Sequence, residues 1–399
     1  MRVVAVVVAL VAGASVNFPV DKLERDPVAF VVGKDHELHV LNHGATDDDL
    51  RTRADKLSDS AWSFFRGTSP LFYRDLAELP PSRYATGGDD IWLLGDPHLE
   101  NTGADNGQFA FNDTDDSRRG SWTWDVRRAA TSIVLAGRHA ELPADEIRAH
   151  VDRFVGDYAK WVQKFREDNE ELTWRLTEKN SEGLTRELID KSDKDTRAKF
   201  LKKWTSDGKL KGDELEDVDQ QTKNDIADAL KTNIKDIKRR TRAGTGSLGR
   251  FRWYVLTDDQ ILELKQEPDG GQRPAQTLGW LVNGSAEATW VTVGTVPVLV
   301  KEKSPFAEDL SIDDLTSFED WDNSARDLAR LLAAAHTRAD KDIPGTGVNY
   351  DADAAIDDAI TSIPGLRKET REFATRYADQ VERDWRAYKQ AHDAGRPTF

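Results

Sequence analysis

The chain predicts an α+β fold in which a small antiparallel sheet sits beside a larger, mainly helical body. Two features carry that expectation. Apolar residues recur at helical spacing over most of the length, and short β-rich runs replace them abruptly between residues 251 and 300. At 399 residues the sequence exceeds one average domain, so two lobes with a substantial core are the natural organisation.

Taken in order, residues 47–65 have helical spacing and end in Phe64-Phe65-Arg66-Gly67. Pro80-Pro81 and Gly87-Gly88 mark turns before a strand at 91–94, and the acidic strand FAFNDTDD follows. Trp122-Thr123-Trp124-Asp125 opens an apolar-periodic stretch at 126–140. A second strong helix covers 144–167, with Phe154, Tyr158, Trp161 and Phe165 along it. Residues 169–242 are charged and poor in large hydrophobics, which reads as a solvated helical insertion without chemistry. Strands are expected at 251–256, 261–265, 277–282, 290–293 and 298–300, separated by Gly, Asp and Pro turns. Helices resume at 321–338, 354–363 and 368–394. The chain thus divides into a helical lobe at 15–242, a small β lobe at 243–305, and a C-terminal helical part at 306–399 packed on the first.

The formal net charge of −16 is spread along the chain, and such a surface repels nucleic-acid backbones. Twelve Trp and fifteen Phe belong to a folded protein and not to a disordered polyanion. The absence of Cys excludes disulfides, thiol catalysis and cysteine zinc sites. The opening MRVVAVVVALVAGA has one basic residue, Arg2, an apolar core at 3–11 and a small-residue cleavage pattern. That predicts a signal peptide over 1–14 and a secreted, periplasmic or secretory-pathway location; the alternative is a buried valine-rich strand in a cytoplasmic protein. The apolar stretch is too short for a membrane span, and no other segment approaches one.

The chemistry concentrates in two places. In Asp96-Pro97-His98-Leu99-Glu100-Asn101, an Asp is followed five positions later by an Asn, and Asp113 then ends a short hydrophobic strand. Phosphoryl transfer of the kinase type uses that spacing. One carboxylate orients the attacking hydroxyl, while an amide oxygen and a second carboxylate hold the magnesium that offsets nucleotide phosphate charge. The second place is Gly244-Thr245-Gly246-Ser247-Leu248-Gly249, with Lys265 on the second strand after it. A glycine-rich turn between strands lets backbone amides approach phosphates, and a neighbouring lysine pairs their charge. No helix follows this GxGxxG, which disfavours the dinucleotide-binding version of the motif. In protein kinases the glycine loop and lysine precede the catalytic loop, whereas here they follow it. A shared site therefore implies a circularly permuted, kinase-like two-lobed fold.

Each residue also has a plainer reading. Asp96 could be a strand-end turn residue, Asp125 a helix N-cap, and Lys265 a strand-edge lysine. His98 could act beside Asp96, brace the loop by a hydrogen bond, or ligate a metal in a phosphoesterase, although the other histidines lack the spacing that needs. Arg66 could pair with a loop carboxylate or contact a phosphate. His336, in an apolar helix, reads as a packing residue.

The segments FFRGTSPLFYRDL, GDPHLENTG, FNDTDD, WTWDVRRAATSIVLAGR, GTGSLGRFRWYVL, LARLLAAAHTRAD and FATRYADQVERDWRAY, in this order, resemble the family called domain of unknown function 2252. That family is considered similar to the kinase and aminoglycoside-phosphotransferase superfamily. The resemblance implies Asp96 as catalytic carboxylate, Asn101 and Asp113 as magnesium ligands, and Asp125 as a brace for the loop. The family usually carries an aromatic after the loop asparagine and after the metal aspartate; this chain has Thr102 and Thr114, so Asp115 could share or take the role of Asp113. The expected activity is transfer from ATP, with Mg2+, to a hydroxyl of a small molecule or protein; transfer of AMP is compatible with the same groups. The alternatives are a catalytically silent nucleotide-binding protein and a secreted metal-dependent phosphoesterase. No motif encodes the acceptor or the oligomeric state.

Overall fold

The computed structural model describes residues 18–20, 23–42, 46–86, 90–114, 116–194, 196–241, 250–266, 289–343 and 345–396. It is an α+β structure. Four helices lead the chain: α1 (Pro27–Asn42), α2 (Asp47–Asp59), α3 (Ala61–Gly67) and α4 (Ser69–Glu78). The single helix expected at 47–65 is broken at Ser60. Its backbone is extended, it closes α2, and its side chain accepts the Ser63 amide to start α3. The long helices α5 (Trp122–His139) and α6 (Ala144–Asp168) follow. Three short helices come next: α7 (Gly183–Ser192), α8 (Arg197–Trp204) and α9 (Gln220–Leu230). The last three are α10 (Phe318–Arg338), α11 (Ala352–Ala359) and α12 (Ile363–Asp393).

The body is built on α5, α6, α10 and α12. Helix α5 is buried nearly all round, as an interior helix must be. Ala129, Ala130 and Ala136 on α5 and Ala333, Ala334 and Ala335 on α10 let neighbouring backbones approach closely. A buried ion cluster fastens the N-terminal segment to this body. Arg25 Nε lies 2.7 Å from Asp75 Oδ1, its Nη1 lies 2.8 Å from Asp384 Oδ1, and Tyr377 donates to Asp75. Among the described residues, no helix is long and apolar enough to cross a membrane.

Among the described residues, four antiparallel sheets accompany the helices. Strand β1 (Ile91–Leu93) pairs with β4 (Arg118–Gly120), while β2 (Thr102–Asp105) and β3 (Gln108–Phe111) form a hairpin between β5 (Leu176–Thr177) and β14 (Glu308–Asp309). A two-stranded hairpin joins β6 (Thr205–Ser206) to β7 (Lys209–Leu210). The largest sheet has six strands in the order β12 (Thr289–Val293), β13 (Val296–Glu302), β11 (Ile261–Gln266), β10 (Arg252–Leu256), β9 (Asp236–Arg240), β8 (Leu215–Asp217).

The sheet therefore starts earlier than the sequence pattern suggested, because β8 and β9 come from the stretch read as a helical insertion. In Asp-Ile-Lys-Arg-Arg only Ile237 is buried, so the alternation that marks a strand is masked by basic side chains. The sheet has its own apolar cluster of Ile226, Ile237, Trp253, Val255, Leu264, Val293, Val298 and Val300 on one face. Tyr254, Leu256 and Ile261 pack with Leu210 on the other. The strand expected at 277–282, the segment 1–14 and the glycine-rich turn at 244–249 lie outside the described residues.

Candidate functional site

Strand β1 delivers the chain to Leu94 and Gly95, and Gly95 turns it with φ of +82°. A Cβ at that position would sit 1.9 Å from the Asp116 carbonyl oxygen, so the turn requires glycine on both counts. Asp96 follows at once. The loop then closes on itself: the Asn101 side-chain amide donates to the Asp96 carbonyl at 3.0 Å, and Thr102 Oγ1 donates to the Leu99 carbonyl at 2.6 Å. The Asn112 amide donates to the Asn101 carbonyl at 3.1 Å, extending the β2–β3 ladder by one bond. Asp113 therefore leaves the hairpin beside Asn101, at the end of the loop.

Asp125, fully buried in the first turn of α5, grips the base of this loop. Its Oδ2 accepts the Leu94 amide at 2.7 Å and faces His336 Nε2 at 3.3 Å. Its Oδ1 accepts the Gly95 amide at 3.2 Å and the Tyr73 hydroxyl at 2.9 Å. The other ring nitrogen of His336, Nδ1, lies 2.8 Å from the Tyr158 hydroxyl. An N-cap accepts from its own helix; this carboxylate instead binds a different segment.

One turn along α5, Arg128 is fully buried and holds Asp96 Oδ1, from Nε at 2.7 Å and Nη2 at 2.6 Å. Its guanidinium also donates to the Phe65 carbonyl and lies over the Phe65 and Phe72 rings, 4.1 and 5.2 Å from their centroids. Burial pushes the Asp96 carboxyl up to about 7 against the pull of Arg128, with Asp116 adding to the rise. Asp96 Oδ2 lies 3.6 Å from His98 Nε2. His98 is buried edge-on to Trp62, and burial together with Arg66 and Arg128 holds it well below the usual histidine range, so the imidazole is neutral. Arg66 forms an ion pair with Glu100 and sits 5.5 Å from the Trp62 ring centre; Trp62 Nε1 donates to the same carboxylate at 3.2 Å.

The opposite wall comes from the six-stranded sheet. Lys265 on β11 is 4% exposed, and its Nζ lies 3.2 Å from Asp113 Oδ1. Side chains alternate across a strand, so Lys265 and Glu263 share a face, with Leu299 opposite Lys265 on β13 and Arg252 opposite it on β10. Glu263 is buried, which alone would raise its pKa; Arg252 at 2.7 Å, with Lys301, Lys265 and Lys303, outweighs burial and brings it to about 2.

Residues 46–268 and 270–391 match the family described as "Uncharacterized protein conserved in bacteria (DUF2252)". The chain belongs to that family. The DUF2252 match spans the Asp96 loop, the β2–β3 hairpin, the Lys265 strand and all of α10. Comparisons with curated proteins and with solved structures found no match.

In this DUF2252 chain the structure brings together Asp96, His98, Asn101, Asp113 and Lys265, with Asp125 and Arg66 at the edges of the same loop. Asp115 lies outside the described residues, as do Gly244, Gly246, Ser247 and Gly249. Sequence reasoning missed Arg128 and Tyr73. Arg128 was findable: three positions after Asp125 on a helix places it on the same face, one turn onward. Nothing local marks Tyr73, whose partner is 52 residues away.

Proposed function

We propose that this chain is an ATP- and magnesium-dependent phosphotransferase with a circularly permuted, kinase-like arrangement of a sheet lobe and a helical lobe. The observation that carries the reading is the 3.2 Å contact between Lys265 and Asp113, two residues separated by 152 positions. Lysine from a sheet and aspartate from a catalytic hairpin are the two groups such a site places around nucleotide phosphates.

Asp96 accepts the proton of the acceptor hydroxyl on Oδ2, while Arg128 fixes the other oxygen and so the carboxylate plane. A carboxyl near 7 suits a general base working at neutral pH. As the proton leaves, the hydroxyl oxygen bonds to the γ-phosphorus and the bridging bond to ADP breaks. The Asn101 amide NH2 donates to the Asp96 carbonyl, which leaves its side-chain oxygen as the hard donor of that residue. These two residues fit magnesium, which supplies charge neutralisation of the phosphates when bound. Lys265 pairs with phosphate oxygens.

The test is thermal unfolding with ATP and Mg2+, followed by measurement of nucleotide turnover. Ligand at a hundred times its dissociation constant stabilises the folded state by about 2.7 kcal/mol. Lys265→Ala should lose most of that shift. Asp96→Asn should keep it and lower transfer by about 10²- to 10⁴-fold. No stabilisation by nucleotide, or full transfer by Asp96→Asn, refutes the proposal. The Arg128–Asp96 pair also favours a second reading, a silent nucleotide-binding protein, for which nucleotide stabilises the fold and no transfer occurs with any acceptor.

A further inference from the structure

Where α10 ends, the chain enters a loop and then α11. Asp340 and Asp342 stand at the start of that loop, and Asp351 and Asp353 at its close. Glu171, just past the end of α6, reaches the same point from a distant part of the sequence. Oxygens of Glu171, Asp340 and Asp342 lie within 4.8 Å of one another, and so do those of Asp340, Asp351 and Asp353. Asp340 belongs to both groups, so the two triads share one carboxylate.

Carboxylates crowd on protein surfaces without consequence, but three members of this cluster are buried and only Asp342 and Asp351 are exposed. Glu171 is 1% exposed, Asp340 3% and Asp353 8%. Among the described residues, no ion pair joins Glu171, Asp340, Asp342 or Asp353 to a cationic side chain; Lys341 pairs only with exposed Asp351. The Arg338 guanidinium donates to the backbone carbonyls of Glu171 and Trp174. Most pointed is Glu171 itself, whose Oε2 is buried and accepts no hydrogen bond. A buried carboxylate oxygen without a donor costs several kcal/mol unless a cation meets it.

We infer that Glu171, Asp340, Asp342, Asp351 and Asp353 form a binding site for a calcium ion, distinct from the Asp96–Lys265 cleft. The donor set is all oxygen, which excludes the nitrogen- and sulfur-seeking metals. Five carboxylates from two segments match the six to eight oxygens that calcium gathers, whereas magnesium keeps most of its waters and takes one or two carboxylates. Counting both ends, Asp340 to Asp351 is a twelve-residue loop between two helices, with acidic residues at its first, third and twelfth positions and Gly345 at its sixth. Helix–loop–helix calcium sites place ligands at those positions, and Glu171 supplies a further carboxylate from outside. The loop is also tied to β1: the Thr346 carbonyl accepts from Trp92 Nε1 at 2.8 Å and from Arg119.

The experiment is calorimetric titration of the metal-stripped full chain with CaCl2, then with MgCl2, in the absence of nucleotide. The expected result is one saturable Ca2+ site with a dissociation constant of about 10⁻³ M or tighter, and weaker Mg2+ binding. Asp342 and Asp351 are exposed, so Asp342→Asn and Asp351→Asn should fold normally and each weaken Ca2+ by about tenfold or more. Asp113→Asn should bind Ca2+ as the parent does, which separates this site from the proposed nucleotide site. Absence of saturable Ca2+ binding, equal affinity for Mg2+, undiminished binding in both loop variants, or loss in Asp113→Asn would each overturn the inference.

Discussion

Replacing Asp125 by Asn tests the support of the Asp96 loop more sharply than any truncation, because it changes charge and hydrogen bonding with almost no change of shape. Each carboxylate oxygen accepts one backbone N–H, from Leu94 on Oδ2 and from Gly95 on Oδ1. Each also meets a group able to reverse its role: His336 by changing tautomer, and Tyr73 by turning its hydroxyl. An asparagine has only one acceptor oxygen. Whichever way it flips, its NH2 faces a backbone N–H that cannot reverse. The flip that sacrifices the longer contact keeps Leu94 at 2.7 Å and loses Gly95 at 3.2 Å. Hydrogen bonds to charged acceptors are worth roughly 1.5–3 kcal/mol, and the stranded N–H remains buried against a donor, so about 3 kcal/mol should be lost. Urea unfolding with an unchanged slope would report this as a lower midpoint. On the proposed function, transfer should fall while nucleotide still stabilises the fold. A loss below about 1 kcal/mol would refute the reasoning that both oxygens are required as acceptors.

Two further predictions follow from local geometry and charge. Gly95→Ala combines a positive φ with a Cβ placed against the Asp116 carbonyl, and should cost more than about 2 kcal/mol by thermal unfolding; an unchanged melting temperature would show that the turn relaxes freely. Glu263 titrates near 2 in the folded chain against its ordinary 4.5, so its stabilisation is complete above the ordinary value and disappears as pH falls through about 2. That is roughly 3 kcal/mol, and Glu263→Gln should remove this part of the acid slope; an identical pH profile in the variant contradicts the pairing.

The sequence was most legible where periodicity was long and uninterrupted. The helix expected at 144–167 is observed as Ala144–Asp168, and that at 321–338 as Phe318–Arg338, opened by the Ser317 and Asp320 capping box. Boundaries slipped where a cap intervened, as at Ser60, whose dual role no periodicity reveals. Strands β8 and β9 escaped notice because Ile237 is the one buried side chain between them, which leaves no alternation to read. Within the candidate site, residue types and spacing singled out Asp96, Asn101, Asp113 and Lys265, and the structure sets Lys265 Nζ 3.2 Å from Asp113 Oδ1. Of the groups that hold them, Arg128 was within reach of helical spacing from Asp125, whereas Tyr73 and His336 acquire their roles only from tertiary proximity. Glu171 is the extreme instance, lying 169 residues before Asp340 and unremarkable among its charged neighbours.

Helix α12, at 31 residues, runs about 46 Å and touches α1, α2, α3, α5 and α6. It is also translated after every other described element. Arg25 must wait for Asp384, 359 residues later, which at ribosomal speeds is roughly 20–70 s. Throughout that interval Phe18, Phe64 and Phe72 lack the Phe373, Tyr377 and Tyr388 rings that later cover them. The nascent chain thus presents a greasy, half-made groove to the cell for most of its synthesis, and a premature stop upstream of Asp384 leaves that groove permanently open to chaperones and proteases.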